Sequence, residues 1–198
     1  MIKGFDTTES VLGHCKAIKD AQYSFIIKYG AVSSTFPDKR FTHLEIAELK
    51  KNGLSAGFVW ERGNTIDSFT SSKGEADAKE FVAYLKLLGV PANNKICGYF
   101  AVDLDVTRVQ VMGPIAAYFK SAWAVMKSAG YLTGVYGSGI VCQGLQNLGV
   151  AHYGWKANAS GWAGFDYTGC QITQSTGHVM NFDSDPDTAI NLEGFWTP

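Results

Sequence analysis

The chain has 198 residues, 46% hydrophobic and 18% charged, below the roughly 25% charged residues of average soluble domains. Seventeen basic and eighteen acidic side chains leave a net charge of −1, which speaks against nucleic acid or an anionic membrane as partner. A composition this apolar and glycine-rich excludes disorder, coiled coil and collagen. No apolar run reaches the roughly 20 residues of a membrane span, and the length suits one domain over residues 1–198.

Met1-Ile2-Lys3-Gly4-Phe5-Asp6 lacks the apolar stretch of a signal peptide and reads at once as a strand, so any export is expected by phage-type release or another non-standard route. Further buried strands are predicted at Ser24–Tyr29, Ala56–Trp60, Cys97–Val102, Leu132–Gly137 and His152–Trp155, each a short apolar run bounded by turn residues. Helices lie between them. Capping boxes at Thr42–Glu45, Ser72–Glu75 and Thr107–Gln110 mark their starts, and Gly53, Gly89, Gly130 and Gly149 mark their stops. Ile115, Tyr118, Phe119, Ala122, Trp123 and Met126 recur at three- and four-residue spacing, a core-facing stripe. The rhythm then breaks. Strands at Gly169–Gln174 and Val179–Asp183 are separated by only four residues, too few for a parallel crossover, so they must be antiparallel. The fold class is therefore α/β: an irregular, shortened (β/α) TIM-type barrel with antiparallel closing strands.

The acids fall at strand ends. Asp6 ends the first strand, Glu61 follows the third, Asp103 and Asp105 close the fourth, and Asp183 and Asp185 close the last. In a parallel barrel those ends gather on the rim where active sites form. Asp103 and Asp105, two residues apart, share a face if the strand continues that far. Crowded carboxylates resist joint ionisation, and one protonated acid beside one ionised acid is the requirement for glycosidic cleavage. The alternatives are structural: Asp6 as a cap before Thr7-Thr8-Glu9, Glu61 as a partner in an ion pair. Tyr29, Trp60, Tyr136 and Trp155 lie near strand ends, where rings stack on sugars or simply fill the core. Gln171 and Gln174 offer hydrogen bonds to hydroxyls.

Other chemistries match poorly. Asp183-Ser184-Asp185-Pro186-Asp187 begins like a calcium loop, but Thr188 and Gly194 occupy the positions that need Gly and Glu. Gly134–Gly139 lacks the spacing and lysine of a phosphate loop. Cys15, Cys97, Cys142 and Cys170 are scattered and read as buried free thiols. A divalent ion held by Asp6, Asp103 and Asp183 stays open at this point.

Gly4-Phe5-Asp6, Tyr99–Asp105, Gly134-Val135-Tyr136, Trp155-Lys156-Ala157, Gln171 and Phe182-Asp183 resemble, in order, landmarks of the glycoside hydrolase family 25 lysozymes. The related glycoside-hydrolase-like domain of uncharacterised function is more similar still. Its Gly-x-Asp, Lys-x-x-Thr-x-x-Glu, Trp-Glu and Val-Asp-x-Asp motifs read here Gly4–Asp6, Lys39–Glu45, Trp60-Glu61 and Val102–Asp105. The resemblance implies a flattened barrel cleaving peptidoglycan after N-acetylmuramic acid, with Asp6, Asp103, Asp105 and Asp183 lining the cleft. The lysozymes carry Glu, their proposed proton donor, where this chain has Asp105; Glu61 is a longer acid nearby. The expectation is a muramidase-like lysin that acts at the cell wall or periplasm, as a monomer and without cofactor. Catalytic roles are expected for Asp6, Glu61, Asp103, Asp105 and Asp183, and substrate contacts from Tyr29, Trp60, Tyr136, Trp155 and Gln171. A catalytically silent carbohydrate-binding barrel and a metal-dependent polysaccharide or phosphodiester hydrolase are the alternatives.

Overall fold

Eight strands close into one barrel in sequence order in the computed structural model, which describes residues 1–33 and 35–198. They are β1 (Ile2–Thr7), β2 (Phe25–Tyr29), β3 (Ser55–Trp60), β4 (Cys97–Val102), β5 (Leu132–Gly137), β6 (Tyr153–Lys156), β7 (Ile172–Gln174) and β8 (Ser184–Ala189). The first seven run parallel, and β8 lies antiparallel between β7 and β1. This is the irregular barrel that the strand spacing predicts, with one shift. The apolar run Val179–Asp183 is not the closing strand. Val179 and Phe182 pair across a tight turn through Met180, at φ 56°, and bury their side chains, so the run plugs the barrel's flank and the strand starts at Ser184.

Among the described residues, six α-helices stand around this sheet: α1 (Cys15–Asp20), α2 (His43–Asn52), α3 (Ser71–Leu87), α4 (Arg108–Gln110), α5 (Ala116–Ser128) and α6 (Gly139–Asn147). Thr42 and Thr107 form the expected capping boxes with Glu45 and Gln110. Ser72 does not cap α3. Thr70 does, accepting from the Lys73 N–H, because the extended backbone ends at Thr70 and Ser72 already lies in the first turn. Gly53, Gly89, Gly130 and Gly149 take left-handed φ values between 62° and 82° just beyond the helices they stop. Gly113-Pro114 widens the turn Val111–Ile115 ahead of α5, where proline can donate no helical hydrogen bond. Tyr118, Phe119, Ala122 and Met126 of α5 are buried as the stripe predicts, while Trp123 lies at the core's margin.

The two faces of the sheet bury different clusters. Phe5, Ile26, Phe58, Phe100 and Val135 point out against the helices. Phe25, Ile27, Val59, Tyr99, Trp155, Ile172, Ala189 and Phe195 fill the barrel interior. This two-residue alternation decides which side chains reach the rim. On the outer face Lys28 pairs with Glu45 at 2.7 Å, both essentially inaccessible, and Glu45 also accepts the Val11 and Thr42 N–H groups. All four cysteines are free and buried. Among the described residues no helix is long and apolar enough to cross a membrane.

Candidate functional site

The inner-face residue at the C-terminal end of each strand points into one open cleft of about 260 Å³. Asp6 comes from β1, Tyr29 from β2 and Tyr136 from β5. Trp155 comes from β6 and Gln174 from β7, while Glu61 and Asp103 follow β3 and β4 by one residue. Because β8 runs the other way, its beginning reaches this rim, and Asp185 stands opposite Asp6 in the ladder.

Asp6 sits at the floor. Only 4% of it is exposed, and burial pushes its carboxyl up to about 7. The Gln174 amide (2.9 Å) and the Tyr29 hydroxyl (3.3 Å) donate to it and moderate that rise. Beneath it lies Asp187, fully buried and raised well above the usual carboxylate range by burial and by the Asp6 charge. The Trp155 indole donates to one Asp187 oxygen at 2.8 Å, and the other has no donor among the described residues. Of the two, Asp187 is the more deeply buried, and the Asp6 charge opposes its ionisation.

The acids nearer the mouth differ. Glu61 is half-buried; desolvation and then the Asp103 charge raise its carboxyl, while the Lys39 ammonium opposes them. Asp103 is more open but is still raised by the cleft wall that strips part of its water. Asp185 is raised by desolvation and by the neighbouring Asp183 charge. Tyr29 and Tyr136 stay firmly protonated, for burial and the surrounding carboxylates both disfavour a phenolate. Tyr136 also packs edge-on against Trp155 at 4.6 Å, giving the cleft an aromatic side wall. The result is a small acidic cavity whose carboxyls resist ionisation for different reasons, with hydroxyl donors and an aromatic wall.

The structure brings Asp6, Glu61, Asp103, Tyr29, Tyr136 and Trp155 together and leaves four other expected residues outside. Asp105 does not share the cleft with Asp103, because β4 ends at Val102 and the chain turns away, leaving Asp105 in solvent. Asp183 precedes β8 and lines an adjacent pocket with Glu9, His14 and Asp38, so it cannot join Asp6 and Asp103 around one ion. Among the described residues, no three His, Cys, Asp or Glu side chains are arranged to hold a metal. Trp60 lies between Val59 and Glu61 and therefore faces outward, where it packs on Phe81. Gln171 is at the other end of β7, accepting from the Tyr99 hydroxyl at 2.8 Å inside the barrel. Sequence reasoning missed Asp187. Its signal was the alternation of Asp185 and Asp187, which reads as an inward pair only once the strand is placed at Ser184.

Residues 16–184 match the family described as the Rv2525c-like, glycoside hydrolase-like domain. The chain belongs to that family. YbfG, an uncharacterized protein of Bacillus subtilis, is 32% identical over 124 residues, which are 59% of this chain and 17% of that protein's length. The Tat-secreted protein Rv2525c of Mycobacterium tuberculosis superposes with a TM-score of 0.82 at 19% identity, covering 95% of both chains. GHIP, a glycosyl hydrolase 25 of Streptococcus pneumoniae, superposes at 0.60 and 14% identity, covering 96% of this chain and 88% of that one. The barrel of this Rv2525c-like domain is thus a glycoside-hydrolase-like fold resembling the family 25 enzymes.

Proposed function

We propose that this Rv2525c-like domain is a muramidase-like glycosidase that cuts the glycan strands of peptidoglycan at the cell wall. The observation that carries the reading is that Glu61 and Asp103 line one cleft in unequal settings: Glu61 is raised by desolvation and by the Asp103 charge, whereas Asp103, the more open of the two, is raised by desolvation alone. In this reading Glu61 is the acid that protonates the leaving glycosidic oxygen. Asp103, ionised, faces the positive charge that develops at the anomeric carbon, or orients the substrate's acetamido group. Asp6, held by Tyr29 and Gln174, sets the field beneath the sugar, and Tyr136 and Trp155 give the ring a stacking wall. Asp105, turned into solvent, has no part in the proton transfer, so the longer Glu61 acts where the lysozymes use their Glu. Action outside the cytoplasmic membrane fits a wall glycan, and secretion of the relative Rv2525c supports it.

The test is release of new reducing ends from purified peptidoglycan. Removing a general acid costs roughly 10²–10⁴-fold in rate. Glu61→Gln should lose activity by that factor together with the alkaline limb of the pH–rate profile, and Asp103→Asn should fall comparably. Asp105→Asn should stay within about threefold of wild type, since only groups in reach of the bond supply such factors. Full activity in Glu61→Gln would remove it from the donor role. Wall binding by wild type without new reducing ends would make the domain a carbohydrate-binding barrel instead.

A further inference from the structure

Beside the cleft, across the wall formed by Ala101 of β4, lies a second cavity of about 300 Å³ between the segment after β3, α3 and α5. Trp60 lines it, and its indole N–H is buried and has no hydrogen-bond partner among the described residues. A buried donor of that kind calls for an acceptor. Two cations line the same cavity. The Arg62 guanidinium lies 4.9 Å over the Trp60 ring and is locked in place by a fork to Glu80 at 2.9 and 2.6 Å and a longer contact to Asp77. Lys73 donates only to the Asp67 carbonyl and pairs with no carboxylate among the described residues. The single acid of the lining, Asp77, is already engaged by Arg62 and by the Tyr118 hydroxyl at 2.8 Å. Phe69 and the Tyr118 ring complete an apolar side. The pocket on the other flank of the cleft has the opposite character, with Glu9, Asp38 and Asp183. The Arg62 charge is met by Glu80 and Asp77, so Lys73 and the Trp60 N–H are the unmatched donors of the lining among the described residues, and an anion suits them.

We propose that this pocket seats a carboxylate-bearing substituent of the glycan whose sugar ring occupies the cleft, the lactyl arm of a muramic acid residue that carries no stem peptide; the proposal rests on the glycan reading above. The carboxylate completes the Trp60 N–H and meets Lys73 and the exposed edge of Arg62. The methyl and ether carbons of the arm lie against Phe69 and Tyr118. The pocket selects a muramyl unit without stem peptide and fixes the direction in which the strand crosses the cleft.

Calorimetric titration of the full chain with three probes tests this: a glucosaminyl–muramyl disaccharide with free carboxylate, its methyl ester, and chitobiose. The free acid should bind at least tenfold more tightly than the ester. Lys73→Met, a change at an exposed side chain, should bring the acid down to the ester's affinity and leave chitobiose unchanged. Trp60→Phe keeps an aromatic side chain, removes the N–H together with part of the ring, and should weaken acid and ester alike. Equal affinity for acid and ester, unaltered discrimination in Lys73→Met, or no binding of any probe would overturn the proposal. Discrimination without cleavage of peptidoglycan would sink the glycosidase reading and spare the pocket; cleavage without discrimination would do the reverse.

Discussion

Asp6 shows how depth in the barrel sets the protonation of a side chain that two donors already hold. Its carboxyl titrates near pH 7 in the folded protein against an ordinary value of 3.8, so between those values the folded state binds the extra proton. Stability must therefore fall as pH rises through that window, the opposite of a salt-bridged aspartate. At about 1.4 kcal/mol per pH unit the loss for Asp6 is on the order of 4 kcal/mol, and Asp187, also raised, acts in the same direction. Urea unfolding at pH 4.5 and pH 8 should show that decline in wild type and a clearly flatter profile in Asp6→Asn. A wild-type stability that rises over this range would contradict the buried-acid account. The same scale explains the errors at single residues. Trp60 and Glu61 are adjacent, and the strand's alternation sends one outward and the other inward; that parity was legible in the sequence once Val59 was recognised as interior. Asp105 was placed by extending an alternation beyond the point where β4 stops.

At the scale of elements, α3 and α5 pack closely because Gly74 lets them. A Cβ on Gly74 would stand 2.2 Å from the Tyr118 carbonyl oxygen, a backbone atom that cannot step aside. Helix propensity alone makes Gly→Ala in a helix interior favourable by about 0.8–1.0 kcal/mol. Here overpacking, typically 1–3 kcal/mol, opposes and exceeds it. Gly74→Ala should thus lower the urea midpoint, and a raised midpoint would show that the helices separate freely. Tyr118 also borders the Trp60 pocket, so the same substitution should disturb binding there before it disturbs the cleft. The parallel strands were readable as elements because burial on both faces writes a continuous apolar run. The closing strand Ser184–Ala189 was not. Its residues Ser184-Asp185-Pro186-Asp187 carry polar groups into a barrel interior, while the apolar Val179 and Phe182 beside it belong to a turn.

For the molecule as a whole, the two ends of the barrel do different things. The end opposite the cleft is sealed by the C-terminal segment: Trp196 exchanges backbone hydrogen bonds with Ala56, and Phe195 enters the interior against Phe25 at 4.6 Å. Gly57 makes room for that ring, since a Cβ there would lie 2.9 Å from it. Loss of a buried phenyl ring costs roughly 3–5 kcal/mol. Phe195→Ala should be destabilised by that amount in urea, yet the rate per folded molecule on peptidoglycan should be unchanged, because Ala56 and Glu61 lie at opposite ends of β3. A drop in that rate at full folding would mean that the plug also shapes the cleft.

Local chemistry decided a good deal in this chain: where helices begin and stop, which runs are strands, and that acids collect at strand ends. These follow from capping, from left-handed glycines and from apolar periodicity, all of which act over a few residues. Which acids meet was decided only by closure of the barrel. Reversal of β8 carries Asp185 to the rim beside Asp6 and Asp187 into the interior beneath it, 179 and 181 residues away in the chain, and the outward parity of Trp60 builds a second pocket next to the first. Register between distant strands depends on the summed packing of two buried faces, and no short stretch of residues contains that sum.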